Sequence, residues 1–398
     1  MEPIVELRRL LADVPCAGLD DLPQSVMAVA PALGASEIVI YVVDYNQTFL
    51  VPLDGPGVPR RRPLRVDGSL GGRAFTAGRT HRRAGRVGRA GRLWVPLVDG
   101  CHRLGVVEIA TTGSPGQLRD AADELAAVVA QLLISRRAYG DKIERIRRRE
   151  PMQLAAEIVW SQLPPLSFTA SRAMVTGILE PCYDIGGDVF DYALNGDLLS
   201  VALFDAVGHG TEASLLATLC LSAYRNARRC GLDLRDTTRS VDKLIHAHRP
   251  GSFASAVLAE LDCGTGALRM VVAGHPAPLL LRGGRLGRVL PAPTALPLGL
   301  GYLSADGPRV VEEMLHPGDQ LLLYTDGVIE ARSSTGEMFG VDRLVDLVTR
   351  ALADGLPTPE SMRRLVGAIL RHQNDQLQDD ATALFVEWTP DESGLRRS

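Results

Sequence analysis

Four aspartates stand in short strings punctuated by glycine or other small residues: Asp188 in IGGDVFD, Asp205 in FDAVGHG, Asp326 in LLLYTDGVIEA and Asp379 in QDDAT. Two of the strings, LLSVALFD and QLLLYTD, read as hydrophobic strands ending in an aspartate that a small residue follows at once. Such a strand delivers a carboxylate to the rim of a sheet, where the neighbouring backbone can also approach a ligand. Carboxylates gathered from separate strands repel one another, so a cluster of them calls for cations or for protons. The donors are oxygens, with no Cys or His at zinc spacing, which favours Mg2+ or Mn2+ over zinc. Two such ions about 3.5–4 Å apart would clamp a phosphate and activate a water.

The residues that must position these carboxylates alternate strand and helix patterns. SRAMVTGILEP and LLSVALFD are followed by helices over 212–229 and 237–248, then by FASAVLAEL and ALRMVVAG around the turn DCGTG. PLLLRG and QLLLYTD come next, then helices beginning at Val341 and Pro359, and a closing strand ATALFVEW. Hairpin strands with helix pairs between them predict an α+β fold in which two antiparallel sheets stack and helices lie outside.

Ahead of this part, residues 20–135 predict a small α/β module with a mainly antiparallel sheet. A helix over 22–33 precedes the strands EIVIYVVDY, TFLVPL, LWVPLVD and RLGVVEIA, and a helix over 117–137 closes the module. The last two strands flank a short Asp-Gly turn. RRAYGDKIERIRRRE then reads as a charged helix with Ile143 and Ile146 as a thin apolar stripe, interrupted by Pro151. A second short helix over 151–163 would carry Leu154, Ile158 and Leu163 on one face.

A chain of 398 residues suggests two domains and a connector. With 46% hydrophobic and 23% charged residues it has the make-up of a folded soluble protein. LAAVVAQLLI falls short of a membrane span and MEPIVELRRL has no secretory pattern, so no membrane association and a cytoplasmic location are expected. The six cysteines lack CxxC spacing, which argues against both a disulfide framework and a zinc knuckle. Net charge is −4 and basic charge is nearly all arginine, Lys142 and Lys243 being the only lysines. One stretch is strongly basic: Arg60, Arg61, Arg62, Arg65, Arg73, Arg79, Arg82, Arg83, Arg86, Arg89 and Arg92, with Asp67 its only acid. Such a run reads first as a solvated face, then as a site for an anionic ligand or an acidic protein. Nucleic acid is not expected, since aromatic interleaving is absent.

In order, PCYDIGGDVFDY, FDAVGHG, VVAGHPAPLLL, LHPGDQLLLYTDGVIEA, FG and DDAT resemble the bacterial metal-dependent protein phosphatases of the PPM class, stage II sporulation E branch, over about residues 160–389. The resemblance implies an α-β-β-α sandwich holding two Mn2+ or Mg2+ ions. Asp205 would bridge both ions, the Ala206 carbonyl would bind one of them, Asp188 would bind the second, and Asp379 with Asp326 the first. His209 would orient a water or give a proton to the leaving alkoxide. Asp191 and Asp380 read as supporting groups beside the ligands, Asp184 as an exposed loop acid, and His275 in AGHP as structural. The family more often has valine and then serine or threonine where this chain has Ala206 and Val207, so a hydroxyl role at Val207 is lost.

The segment VDGSLGGRAFTAGR with the following hairpin resembles a GAF sensor domain, open to a small-molecule or protein signal. The expected organisation is a GAF-like domain over 1–137, a helical linker over 138–165, a phosphatase domain over 166–390 and a disordered tail over 391–398. By resemblance the linker is a regulatory helix that dimerises, giving a homodimer, with the break at Pro151 pointing to a hinged coupling. The implied substrate is a phosphorylated protein, an anti-sigma-factor antagonist. Two other readings compete. Nucleotide cyclases also use a Gly-Gly-Asp turn, but in diguanylate cyclases it continues Glu-Phe, and DAVGHG and YTDGVIEA have no place there. An inert adaptor would have lost a metal ligand, and none is missing.

Overall fold

The computed structural model describes residues 8, 10, 18–85, 90–111, 118–184, 186–293, 295–374 and 377–389. The chain divides into two compact units, Met1–Pro151 and Met152–Ser398. The division falls inside the expected linker, because each half of that segment packs into a different unit.

Among the described residues of the first unit, six strands form one antiparallel sheet: β1 Glu37–Val43, β2 Phe49–Pro52, β3 Leu64–Arg65, β4 His81–Arg83, β5 Gly91–Asp99 and β6 His102–Thr111, in the order β3-β2-β1-β6-β5-β4. Its helices are α1 Leu22–Ala28, α2 Leu70–Ala77, α3 Arg119–Arg136 and α4 Lys142–Arg147. The unbroken apolar run of β1 is explained by cover on both faces. Ile38, Ile40 and Val42 pack with Val26, Leu125 and Ile143 from α1, α3 and α4, while Val39, Tyr41 and Val43 pack with Phe75 of α2 and Trp94.

Three expectations for this unit change. The helix over 22–33 stops at Ala28 and resumes as a 3-10 turn, Ala30–Leu33, since Pro31 cannot continue an α-helix. Helix α2 was not foreseen; Ser69 caps it by accepting from the Gly72 amide (2.8 Å), and Gly78 ends it in the left-handed region. The arginine run is partly structural rather than a solvated face. Arg61 and Arg92 both pair with Glu108, which is buried and accepts from the Tyr41 hydroxyl at 2.8 Å. Arg86 and Arg89 lie outside the described residues.

The second unit holds two antiparallel sheets. One has five strands, β15-β12-β11-β10-β9, built from β9 Asp188–Asn195, β10 Leu198–Ala206, β11 Ala254–Asp262, β12 Ala267–Ala273 and β15 Val311–Met314. The other has six, β14-β13-β16-β17-β8-β7, built from β7 Ser167–Thr169, β8 Ala173–Glu180, β13 Leu279–Arg282, β14 Arg285–Val289, β16 Gln320–Tyr324 and β17 Ala381–Trp388. The period of two decides what faces what. In β10, Leu199, Val201 and Leu203 enter the core between the sheets, and Ala202, Phe204 and Ala206 meet the outer helices. Full burial of each of these leucines contributes about 2 kcal/mol.

Helices α5 Leu154–Gln162, α6 Gly210–Arg229 and α7 Leu234–His248 cover the five-stranded sheet; α8 Asp326–Ile329, α9 Gly340–Ala353 and α10 Thr358–His372 lie on the six-stranded one. The α+β sandwich expected from the hairpin and helix patterning is therefore observed. The buried face of α5 differs from expectation: Leu154 is 63% exposed, while Ala155, Ala156 and Val159 are buried. Small residues let α5 lie close to α6, with Ala156 and Val159 sharing a core with Leu216 and Cys220. No described helix is long and apolar enough to cross a membrane.

Candidate metal centre

Asp188 opens β9, and Asp205 lies one residue before the end of β10. The register pairs them directly, Asp205 opposite Asp188, so two carboxylates face each other across about 5 Å of sheet. Strand β9 was not anticipated; the Gly-Gly string that carries Asp188 is the entry to an edge strand. Ser255, opposite Asp205 on β11, donates from its hydroxyl to Asp205 Oδ2 at 3.4 Å.

From the other sheet comes Asp326. It does not end β16 in a hairpin; Thr325 intervenes and Asp326 sits in the first turn of α8. The Thr325 hydroxyl donates to Asp188 Oδ2 (2.8 Å) and accepts from the Thr382 amide (3.0 Å), which ties the two sheets together at the rim. Asp379, exposed, precedes β17.

Its neighbour Asp380 has a clear task. Oδ2 of Asp380 accepts the amides of Gly186 (2.8 Å), Gly187 (2.6 Å) and Asp188 (3.4 Å), clamping the Gly-Gly loop that carries Asp188. This defines the supporting role expected of Asp380. Asp191 does not share it: three residues along a strand from Asp188 is the opposite face, where Asp191 is buried against Arg225 (2.8 Å) and Arg228 (3.2 Å) of α6. Asp184 is exposed, as expected. His275 is buried, its Nδ1 3.2 Å from the Pro276 carbonyl oxygen, and burial lowers its pKa to about 4.

Gly187 is required by the close approach of Ala206. The Ala206 amide donates to the Gly187 carbonyl at 3.0 Å, and a Cβ at Gly187 would stand 2.3 Å from the Ala206 carbonyl oxygen. Gly187→Ala must therefore displace either the loop or that carbonyl. We expect a loss of about 2 kcal/mol in urea unfolding of the chelated protein. An unfolding midpoint at the wild-type value would show the approach to be looser than described.

The electrostatics follow from burial and crowding. Burial, then Asp205 and Asp380, hold Asp188 well above the ordinary carboxylate range. Asp205 is pushed up to about 7 by burial and by Asp326, Asp379 and Asp380. Burial, then Asp379 and Glu330, raise Asp326. Asp380 rises to about 6 through burial, against the pull of the amides it accepts. Asp188, Asp205, Asp326, Asp379 and Asp380 are thus each within electrostatic reach of another of these five. Among the described residues none of the five forms an ion pair with Lys, Arg or His. Nor do three or more His, Cys, Asp or Glu side chains there converge closely enough to hold an ion by themselves. The donors instead line a rim, with the Ala206 carbonyl among them. An oxygen-only, anionic rim without its own countercharge fits hard divalent cations, bound partly through backbone and water.

His209 caps the N-terminal end of α6, exposed and without a side-chain capping hydrogen bond. Val207 beside it is 42% exposed. Sequence reasoning missed Thr325 and Ser255. For Thr325 a signal existed, a hydroxyl immediately before Asp-Gly; for Ser255 there was none, because its place depends on strand register.

Residues 195–389 match the family model of stage II sporulation protein E (SpoIIE); Asp205, Ala206, His209, Asp326 and Asp379 lie within the match and Asp188 just before it. Protein IcfG of Synechocystis sp. is 23% identical over 62% of this chain and 42% of its own length. Phosphoserine phosphatase RsbU of Bacillus subtilis is 20% identical over 53% of this chain and 62% of its own. The chain thus spans about half the length of these curated relatives. Among solved structures, the RsbU and RsbW domains of a Mycobacterium tuberculosis protein are 29% identical with a TM-score of 0.48, covering 55% of this chain and 62% of that one. The SiaA-PP2C domain of Pseudomonas aeruginosa is 21% identical with a TM-score of 0.49, covering 58% of this chain and 94% of its own.

Proposed function

We propose that the second unit, whose residues 195–389 are a stage II sporulation protein E-type phosphatase domain, hydrolyses phosphoserine and phosphothreonine on a protein substrate with two bound Mn2+ or Mg2+ ions. The observation that carries this reading is the rim itself: Asp188 and Asp205 paired across adjacent strands, with Asp326 and Asp379 brought to them from the other sheet. Five crowded carboxylates without a countercharge would be a liability in a merely structural rim.

Asp188, Asp205, Asp326, Asp379 and the Ala206 carbonyl would hold the ions. Bound there, the ions supply positive charge for the phosphoryl oxygens and an acidified water as nucleophile. The chain's own residues do the positioning. Asp380 fixes the Gly-Gly loop, and so the direction of Asp188, while Thr325 restrains Asp188 Oδ2 from the other side. His209, exposed at the N-terminal end of α6, would give a proton to the departing serine or threonine oxygen. No cysteine signature for a covalent phosphoenzyme is present in the sequence.

The substrate is a phosphorylated anti-sigma-factor antagonist in this reading, with control by a GAF-like domain over 1–137. The linker of the sequence reading would act as two pieces hinged at Pro151, and the working form would be a cytoplasmic homodimer. Hydrolysis of p-nitrophenyl phosphate tests the chemistry. Turnover with added Mn2+, abolished by EDTA, is expected, with no cyclisation of GTP in the same preparation. Metal-independent turnover, or nucleotide cyclisation without phosphate release, would overturn it.

A further inference from the structure

We propose that a cleft beside the carboxylate rim receives the protein segment flanking the phosphorylated residue, and selects an apolar side chain set between carboxylates; this rests on the phosphatase reading. The cleft has a volume of about 600 Å3 and lies between α7, with Arg239, Asp242 and Lys243, and the segment 295–309.

Register gives its distance from the rim. Ala206 pairs with Ala254 on β11. Past the end of β12, Ala254 pairs with Leu298 through both backbone hydrogen bonds, at 3.0 and 2.8 Å. Two strand spacings place the Leu298 backbone about 10 Å from that of Ala206, which an extended peptide crosses in about three residues. Leu298 lines the cleft. The segment is held in place, since Asp242 Oδ1 accepts the amides of Gly299 (2.7 Å) and Gly301 (2.9 Å).

The lining states the chemistry of the occupant. Leu296 and Leu303 present apolar surface at 39% and 64% exposure. Around them stand three cations. Arg239 and Arg309 engage Asp236 and Asp306 in exposed pairs at 3.2 Å, which are weak enough to exchange partners. Lys243 has no carboxylate partner among the described residues. Asp242 is occupied by the loop amides. An apolar side chain between acidic neighbours would cover the leucines and meet the cations, and the spacing of about 10 Å from the Ala206 backbone fits a segment of the chain being dephosphorylated.

Two fluorescein-labelled phosphoserine peptides test this on the full chain. One carries Glu-Leu-Glu at the third to fifth positions on both sides of phosphoserine, the other Lys-Gly-Lys there. Binding is read by anisotropy with Mn2+, each phosphoserine being replaced by its non-hydrolysable methylene phosphonate so that no turnover intervenes, and p-nitrophenyl phosphate turnover with Mn2+ is measured on the same proteins. The acidic peptide is expected to bind about tenfold tighter. Leu303→Asp should remove most of that advantage, and Lys243→Glu with Arg309→Glu should reverse the preference, while p-nitrophenyl phosphate turnover stays at the wild-type level. Equal affinity for the two peptides, or a preference that survives both variants, overturns the proposal with the phosphatase reading intact. Wild-type protein without metal-dependent turnover overturns that reading and the docking role with it.

Discussion

Asp205→Asn is expected to lower Mn2+-dependent hydrolysis of p-nitrophenyl phosphate by at least about 10^3-fold, and to raise the melting temperature of the chelated protein. The two effects have one origin. Asp205 sits opposite Asp188 and within reach of Asp326, Asp379 and Asp380, and burial and these neighbours lift it to about 7. Its charge is unfavourable in the protein alone and is needed only when cations are present. Asparagine has the same shape and can still accept from the Ser255 hydroxyl, so the fold loses little. What it removes is repulsion, worth about 1–2 kcal/mol after solvent screening, or a rise of a few degrees for a unit of this size. Thermal unfolding in EDTA beside a metal titration of turnover checks both. A variant that melts lower than wild type in EDTA, or that keeps Mn2+-dependent turnover, would remove Asp205 from the centre of the site.

How much of this could be read from the chain depends on what each residue's environment adds to its sequence. Hydrophobic strands ending near aspartate were legible because LLSVALFD and QLLLYTD carry their own boundary signals, and the long helices because their apolar periodicity survives in any context. Strand β9 was not, since DVFDYALN interrupts its apolar pattern with Asp191, and the partners that let an acid be buried there, Arg225 and Arg228, are 34 and more residues away on α6. A still larger separation hid the clamp of Asp380 on Gly186, across 194 residues. The face of α5 was not legible because hydrophobicity alone points to Leu154, Ile158 and Leu163. Close approach to α6 selected alanines instead, leaving Leu154 exposed. In each case a local pattern lost to a pairing set by tertiary register. The carboxylates themselves were visible because small residues must accompany them: Gly187 under the Ala206 carbonyl, and Gly327, where a Cβ would stand 1.9 Å from the Asp380 carbonyl oxygen.

The rim's contribution to the stability of the metal-free protein should fall as pH rises from 5 to 8, and added Mn2+ should abolish the fall. His275 and His102, lowered to about 4 by burial, act with the opposite sign up to about pH 6.5. Asp188, Asp205, Asp326 and Asp380 are all raised in the folded state, Asp205 to about 7 and Asp380 to about 6. Unfolded, the same groups titrate near 4. Between those limits the folded chain binds more protons than the unfolded one, so the derivative of unfolding free energy with pH is negative. The rim is therefore tolerated when protonated, below about pH 4–5, and its cost is fully developed once pH passes the folded value of about 7. For Asp205 and Asp380 together, the loss between pH 5 and their folded values is on the order of 4 kcal/mol. Divalent ions reverse the sign of the problem, because they bind the deprotonated carboxylates and release the protons held there. Their stabilisation should be small at pH 5 and large at pH 8. Urea unfolding across pH, with EDTA or with Mn2+, reads both curves. A chelated protein whose stability rises from about pH 6.5 to 8, where the histidines no longer contribute, would mean that the carboxylates are solvated separately, and an Mn2+ increment independent of pH would mean that the ions bind elsewhere.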